Sequence, residues 1–453
     1  MKTLGLTIAL ATASVAAAAQ SSLPPIRQLG PVTAVTKDSL GAISTVRQLS
    51  DGRVLVNDII GRRVLLFDST LANETVVADT TSATANAYGT RPGGLIAYKG
   101  DSTLFIDPAS LSMLLIDPAG KIARVMSAPR AQDVGFLIGG PFGTPGFDPQ
   151  GRLVYRAPPD FRAMAGAFRG GAGGAPPTPP DSAAIVRFDL ATRKLDTVTF
   201  FKTPKINLTI TQAPNGGGVR VQSTINPMPQ GDDWTLLPDG TIAIVRNRDF
   251  HVDWLDANGK MTSTAKIPFE WERLTDEQKV AFVDSARTAI EKLRASGQLG
   301  FGGNQVVTRT TTEGGASGTA TPAPGAARTP GASAAPSGGG ANTTTTVTAV
   351  GPGGAANIQL APINMVSPSE LPDYRPAFTP GSTRADAAGN LWIRTSQSVD
   401  GRPVYDVVNR SGELIDRVQI PANRVIIGFG ADGAVYLAVR DGTVAHLEKA
   451  RVR

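Results

Sequence analysis

Apolar and polar positions alternate along this chain in short blocks. LSDGRVLVNDIIGRRVLLFD (49–68) has a turn at Asp51-Gly52, an apolar run, a polar break and a second apolar run closed by Asp68. Runs rich in Val, Ile, Leu and Phe, bounded by Gly, Asp and Asn, predict a strand–turn–strand unit. The unit recurs. With Gly52 as the turn position, equivalent turns stand at Asp101 in YKGDSTLFIDPASLSMLLID, Gly151 in FDPQGRLVYR and Gly240 in LLPDGTIAIVRNRDFHVDWLD. Two more stand at Gly389 in DAAGNLWIRTSQSVDGRPVYDVVN and Gly433 in GADGAVYLAVRDGTVAHLE. In the first, second and fourth copies the second run closes sixteen residues after the turn position. In the third, the low-complexity stretch RGGAGGAPPTPP separates the two runs.

Further strand-like pieces, such as ETVVAD (74–79) and GLIAYK (94–99), fill out each repeat to about four strands. Four-stranded repeats of roughly forty-five residues are the pattern of β-propeller blades, and six turn positions predict six blades. One hairpin cannot bury its apolar faces alone, whereas blades packed in a ring can. The sixth unit lacks an outer strand. PVTAVTK (31–37) is therefore expected to pair with it and close the ring. The expected fold class is all-β, a six-bladed β-propeller over 31–453 with its N-terminal strand closing the last blade.

Two segments break the rhythm. The larger, 270–365, falls between the fourth and fifth units. It opens with RLTDEQKVAFVDSARTAIEKLRASG, in which Thr275 and Gln278 form a capping box and Phe282, Ala286, Ile290 and Leu293 share one face. A helix is expected over 275–296, its apolar stripe against the flank of the propeller. Residues 314–340 are almost entirely Gly, Ala, Pro, Thr and Ser and are expected to be disordered. The flanking Thr-rich stretches, and INLTITQAPNGGGVRVQSTI in the smaller insertion, are expected to form hairpins.

Composition adds a location. MKTLGLTIALATASVAAAAQ has Lys2, an apolar core too short to span a bilayer, and Ala17-Ala18-Ala19 as a cleavage site. Residues 1–19 thus read as a signal peptide, and with no cysteine there is neither a lipid attachment point nor a disulfide. The expectation is a bacterial periplasmic or secreted protein, without a membrane span and monomeric. The net charge of +6 is spread along the chain with no basic run, which argues against nucleic acid as a partner.

VNDIIGRRVLLFD resembles the NHL-type repeat, in which a strand ending in Asp is followed by an Arg-led apolar strand ending in Phe-Asp. GNLWIR is similar to the inner strand of six-bladed propellers of the NHL and TolB-like groups. The resemblance covers roughly 31–270 and 365–453 and implies the fold more than any activity.

Propeller ligands usually sit at the ends of strands lining one mouth of the channel. The first run after each turn ends in Asp58, Asp107, Arg156, Arg246, Arg394 or Arg440. If those runs are innermost, Arg156, Arg246, Arg394 and Arg440 ring the mouth and suit a carboxylate, phosphate or sulfated glycan. The competing reading is that these residues pair between blades and hold register. His251, flanked by Phe250 and Trp254, is placed on the same rim. With two histidines and no cysteine, zinc is poorly served. Calcium held by Asp58 and Asp107 is the metal left open; with Asn57 they loosely resemble the Asn and Asp ligands of six-bladed lactonases, without that family's N-terminal Glu motif. No cofactor is otherwise expected. No G-x-S-x-G is present, and GFLIGGPFGTPG (135–146) lacks the Lys-Ser/Thr and helix of a phosphate cradle. The expected function is an exported, non-catalytic propeller binding an unknown protein or small anionic ligand. The alternative is a lactonase-like hydrolase or lyase dependent on a divalent cation.

Overall fold

The turn positions behave as the sequence requires. Gly52, Gly151, Gly240 and Gly389 take φ of 88, 77, 80 and 84°, a region open to glycine, and each turns one strand into the next. A computed structural model describes residues 23–81, 88–159, 180–205, 207–212, 219–295, 305–308, 345–351, 354–360 and 364–452. The expected signal peptide and the 314–340 tract lie outside these residues.

Six antiparallel sheets follow one another along the chain, with a seventh, separate sheet built from the insertions. From inner to outer edge, blade one is Ile43–Gln48, Val54–Asp58, Arg63–Phe67 and Glu74–Ala78. Blade two is Gly94–Ala97, Thr103–Asp107, Ser112–Ile116 and Ile122–Ser127. Blade three is Gly146–Phe147, Leu153–Arg156, Ser182–Phe188 and Leu195–Lys202. Blade four is Asp233–Leu236, Ile242–Arg246, His251–Leu255 and Met261–Ser263. Blade five is Phe378–Ala385, Leu391–Val399, Arg402–Val408 and Leu414–Gln419. Blade six is Arg424–Phe429, Ala434–Asp441 and Val444–Arg451.

The second strands read as unbroken apolar runs because both of their faces are covered. Every residue of Val54–Asp58 and of Thr103–Asp107 is buried. Alternate side chains serve opposite neighbours. Leu55 joins Phe105 and Leu114 of blade two, while Val54 and Val56 join Tyr436 and Leu447 of blade six. Equivalent apolar clusters fill the gaps between blades two and three, three and four, four and five, and five and six. Six gaps between six blades make a closed ring.

Closure uses the N-terminus twice. Val32–Val35 pairs antiparallel with Val444–Arg451 as the outer strand of blade six, as the sequence predicts. Ile26–Gln28 adds a parallel fifth strand to blade five along Leu414–Gln419, which the sequence did not announce. Its three residues are too few to carry a pattern.

The two insertions meet. Asn207–Gln212 and Val219–Ile225 form a hairpin, and Val219–Val221 then pairs in parallel with Ile358–Leu360. Thr345–Gly351 joins Gly354–Leu360 and Gln305–Thr308 in the same sheet. The helix spans Asp276–Ala295. At its start, the Thr275 N–H donates to Gln278 Oε1 at 2.8 Å and the Gln278 N–H to Thr275 Oγ1 at 3.3 Å. Its buried face does not lie on a blade. Val283 packs with Met228, Leu274, Val366 and Leu371, residues flanking the two insertions. No helix among the described residues is long and apolar enough to cross a membrane.

Candidate functional site

The innermost strand of each blade precedes its turn, so the channel is lined by residues on the N-terminal side of Gly52 and its equivalents. Ser44–Gln48, Leu95–Ala97, Gly146–Phe147, Thr235–Leu236, Arg384–Ala385 and Ile427–Phe429 enclose a central cavity of about 1200 Å³. It is somewhat larger than a usual small-molecule site of roughly 300–1,000 Å³.

Charge in this cavity is unevenly matched. Arg47 donates to Thr103 Oγ1 at 2.6 Å, to Gly100 O at 2.6 Å and to Ser102 O, so its fork is filled by blade two without a carboxylate. Burial lowers its pKa to about 10, with the charge of Asp101 opposing. Among the described residues Arg384 donates only through Nη1, to Gly381 O at 3.1 Å and Thr383 O at 2.9 Å. Lys99 is exposed and lies 5.8 Å over its neighbour, the ring of Tyr98. The carboxylates of the lining are already engaged. Asp101 accepts from the Ser50 N–H and hydroxyl, and Asp148 from the Gln150 and Arg152 N–H groups and Arg152 Nε. Asp189 accepts from the N–H groups of Ala191 and Thr192, both at 2.8 Å. Three cations from blades one, two and five thus line the channel, and among the described residues no carboxylate is hydrogen-bonded to any of them.

One buried acid adjoins the lining. Asp233 heads the inner strand of blade four, two residues before Thr235. It accepts the Trp234 N–H at 2.9 Å and the Thr383 N–H of blade five at 2.8 Å. Burial pushes its pKa up, against the Thr383 hydrogen bonds and the charge of Arg384.

The residues picked from sequence lie elsewhere. Asp58, Asp107, Arg156, Arg246, Arg394 and Arg440 all sit on second strands, one strand out from the axis, and none of them lines the cavity; nor does His251. The Asp58 carboxylate accepts the N–H groups of Gly41, Ala42 and Gly61 and pairs with Arg63 Nε at 3.1 Å. Those hydrogen bonds outweigh burial and lower its pKa. Asp107 accepts the Ala109 N–H at 3.0 Å and the Ser110 hydroxyl at 2.5 Å. Each carboxylate is spent on its own blade, which does not fit a shared calcium. Among the described residues, no three or more carboxylates and histidines are grouped to hold a metal ion.

Arg156 is enclosed by the rings of Phe136, Phe142 and Phe201, 5.4 to 5.7 Å away, and burial lowers its pKa. Arg246 and His251 do meet, through Asp253. Arg246 Nε lies 2.6 Å from Asp253 Oδ2 and Nη1 lies 2.8 Å from Asp232 Oδ2. His251 Nδ1 lies 2.7 Å from Asp249 and Nε2 lies 3.3 Å from Asp253. This cluster ties the strands of blade four to one another. Arg394 and Arg440 are exposed and make no side-chain hydrogen bond or ion pair among the described residues.

The residues missed, Arg47 and Arg384, share one register position: each stands five residues before its turn glycine, Gly52 or Gly389. That offset is present in the sequence, but it belongs to strands whose mixed side chains give no apolar run to mark them.

No protein-family model matches the chain. No curated protein matches it either. Among solved structures, it is similar to a gluconolactonase from Xanthomonas campestris at 11% identity, covering 94% of this chain and 97% of that one, TM-score 0.34. A virginiamycin B lyase from Staphylococcus aureus overlaps at 11% identity over 91% of this chain and 96% of that one, TM-score 0.34. A calcium-binding regucalcin from Agrobacterium tumefaciens overlaps at 12% over 94% and 98%, TM-score 0.37. Overlaps this loose transfer no activity, and the six-bladed fold stands on the sheets themselves.

Proposed function

We propose that this chain is an exported propeller whose central channel binds a small anionic molecule. The observation that carries the reading is the mismatch of charge. Among the described residues Arg384 Nε and Nη2 have no hydrogen-bond partner, while the carboxylates lining the cavity are occupied by N–H and hydroxyl donors. A guanidinium with two free donors suits a carboxylate or phosphate by paired hydrogen bonds. The anionic ligand expected from sequence is retained, but on different residues. Calorimetric titration with citrate and with inorganic phosphate tests it. Binding should weaken with salt and fall about tenfold or more in Arg384→Gln. Absence of binding by both probes, or equal affinity in the variant, defeats the reading.

The catalytic alternative, a hydrolase or lyase using this same channel, is supported by Asp233. A carboxyl group that burial keeps protonated to higher pH, beside the lining residues Thr235 and Arg384, is suited to general acid work. A screen of lactones and esters against the intact protein and Asp233→Asn decides this reading: turnover must appear and must disappear in the variant.

A further inference from the structure

A second cleft, of about 850 Å³, lies on the far side of blade five between Leu23–Ile26, Phe269–Glu272, Arg375, Ser396–Val399 and Arg417. Its chemistry differs from that of the channel. Trp271 is 42% exposed there and is held edge-on against Phe269, with ring centres 5.3 Å apart. The other three tryptophans are buried. Around the indole stand planar polar groups. Arg375 Nε lies 3.1 Å from Glu272, and Gln397 donates to Glu270 at 3.4 Å and accepts from Arg417. Arg417 is 6% exposed, and its Nε has no hydrogen-bond partner although Asp406 Oδ1 lies 3.4 Å away. The lining carries two arginines, Arg375 and Arg417, against two glutamates, Glu270 and Glu272, so the cleft offers no formal net charge to attract an ion.

A neutral cleft with one exposed aromatic face and several flat, two-pronged hydrogen-bonding groups suits a ligand with an apolar face and a rim of adjacent hydroxyls. From this combination we infer that the cleft beside Trp271 is a carbohydrate-binding site, taking one or two sugar rings. The indole supplies the stacking face. Glu270, Gln397 and Arg375 supply partners for neighbouring hydroxyls.

Calorimetric titration of the full chain with cellobiose, maltose and diacetylchitobiose tests the assignment, with tryptophan emission as a second readout. At least one disaccharide should bind and shift the emission of Trp271, the one exposed indole. Its affinity should change less than about twofold between roughly 0.05 and 0.5 M salt, because no net charge is involved. Trp271→Ala and Gln397→Ala should each cost about tenfold or more, while Arg384→Gln leaves binding unchanged. No binding by any of the three sugars overturns the inference, and so does binding that survives Trp271→Ala. Binding lost in Arg384→Gln would place the sugar in the channel and also overturn it.

Discussion

Arg27 and Asp416 stand 389 positions apart and meet in a two-pronged ion pair, Nε to Oδ1 at 2.9 Å and Nη2 to Oδ2 at 2.7 Å. The pair fastens Ile26–Gln28 to blade five, a few residues before Val32–Val35 joins blade six. Removal of 23–35 should strip an edge strand from both blades. The melting midpoint should drop by more than about 5 °C, on the order of 2 kcal/mol for a domain this large. An unchanged midpoint by calorimetry would show that the ring is held by its inner strands alone.

Asp406 makes the fold sensitive to pH. Burial between blades raises its pKa to about 7, with Arg417 opposing. The folded protein therefore holds this proton more tightly than the unfolded chain, in which the group titrates near 4. Its contribution is full below about pH 4 and is lost as pH rises towards 7, a fall on the order of 2–4 kcal/mol. Asp406→Asn should flatten that part of the stability curve. Urea unfolding at a series of pH values checks it, and an unaltered slope counts against the assignment.

Arg246 is expected to matter for stability rather than binding. Its removal leaves the carboxylates of Asp232 and Asp253, both nearly buried, without their cation. Breaking such a buried pair costs about 3 kcal/mol. Arg246→Ala should lower the unfolding free energy by roughly that amount and leave citrate or phosphate affinity unchanged. Arg394→Ala, at an exposed and unpaired side chain, should change neither. A binding defect in either variant would return the site to the second strands.

Gly143, in the loop linking blades two and three, packs closely against Trp234 of blade four. At φ +93° it passes under Trp234, whose Nε1–H donates to Phe142 O at 2.9 Å. A β-carbon there would strike the indole ring. Gly143→Ala should cost about 1–3 kcal/mol and disturb the buried Trp234 emission. Wild-type unfolding by near-ultraviolet dichroism would show that the loop relaxes freely.

How far the sequence could be read depended on burial. Second and third strands lie between blades, are covered on both sides, and so write themselves as apolar runs such as VLVND and RVLLF. Those runs gave the blade count and the closing strand. Inner strands face the channel with one edge and carry mixed side chains: ISTVRQ is only half-buried throughout, and blade three has just Gly146–Phe147. Without a shared pattern they are not marked as innermost, GLIAYK alone among them reading as a strand, and the second strands read as the innermost instead. The candidate site shifted outward by one strand as a result. The anionic chemistry proposed for the channel is the same, but Arg47 and Arg384 replace Arg246 and Arg394.

A ring clasped by its own first residues also constrains the order in which it forms. Ile26–Gln28 and Val32–Val35 are made several hundred residues before their partners, Leu414–Gln419 and Val444–Arg451. No early intermediate can seat them, and the loop to be closed is nearly the whole chain, which makes the contact slow and entropically costly. Until then blades five and six present open edges to any passing strand. Ring closure is thus the late event of folding, and the interval before it is when this chain is most exposed to mispairing.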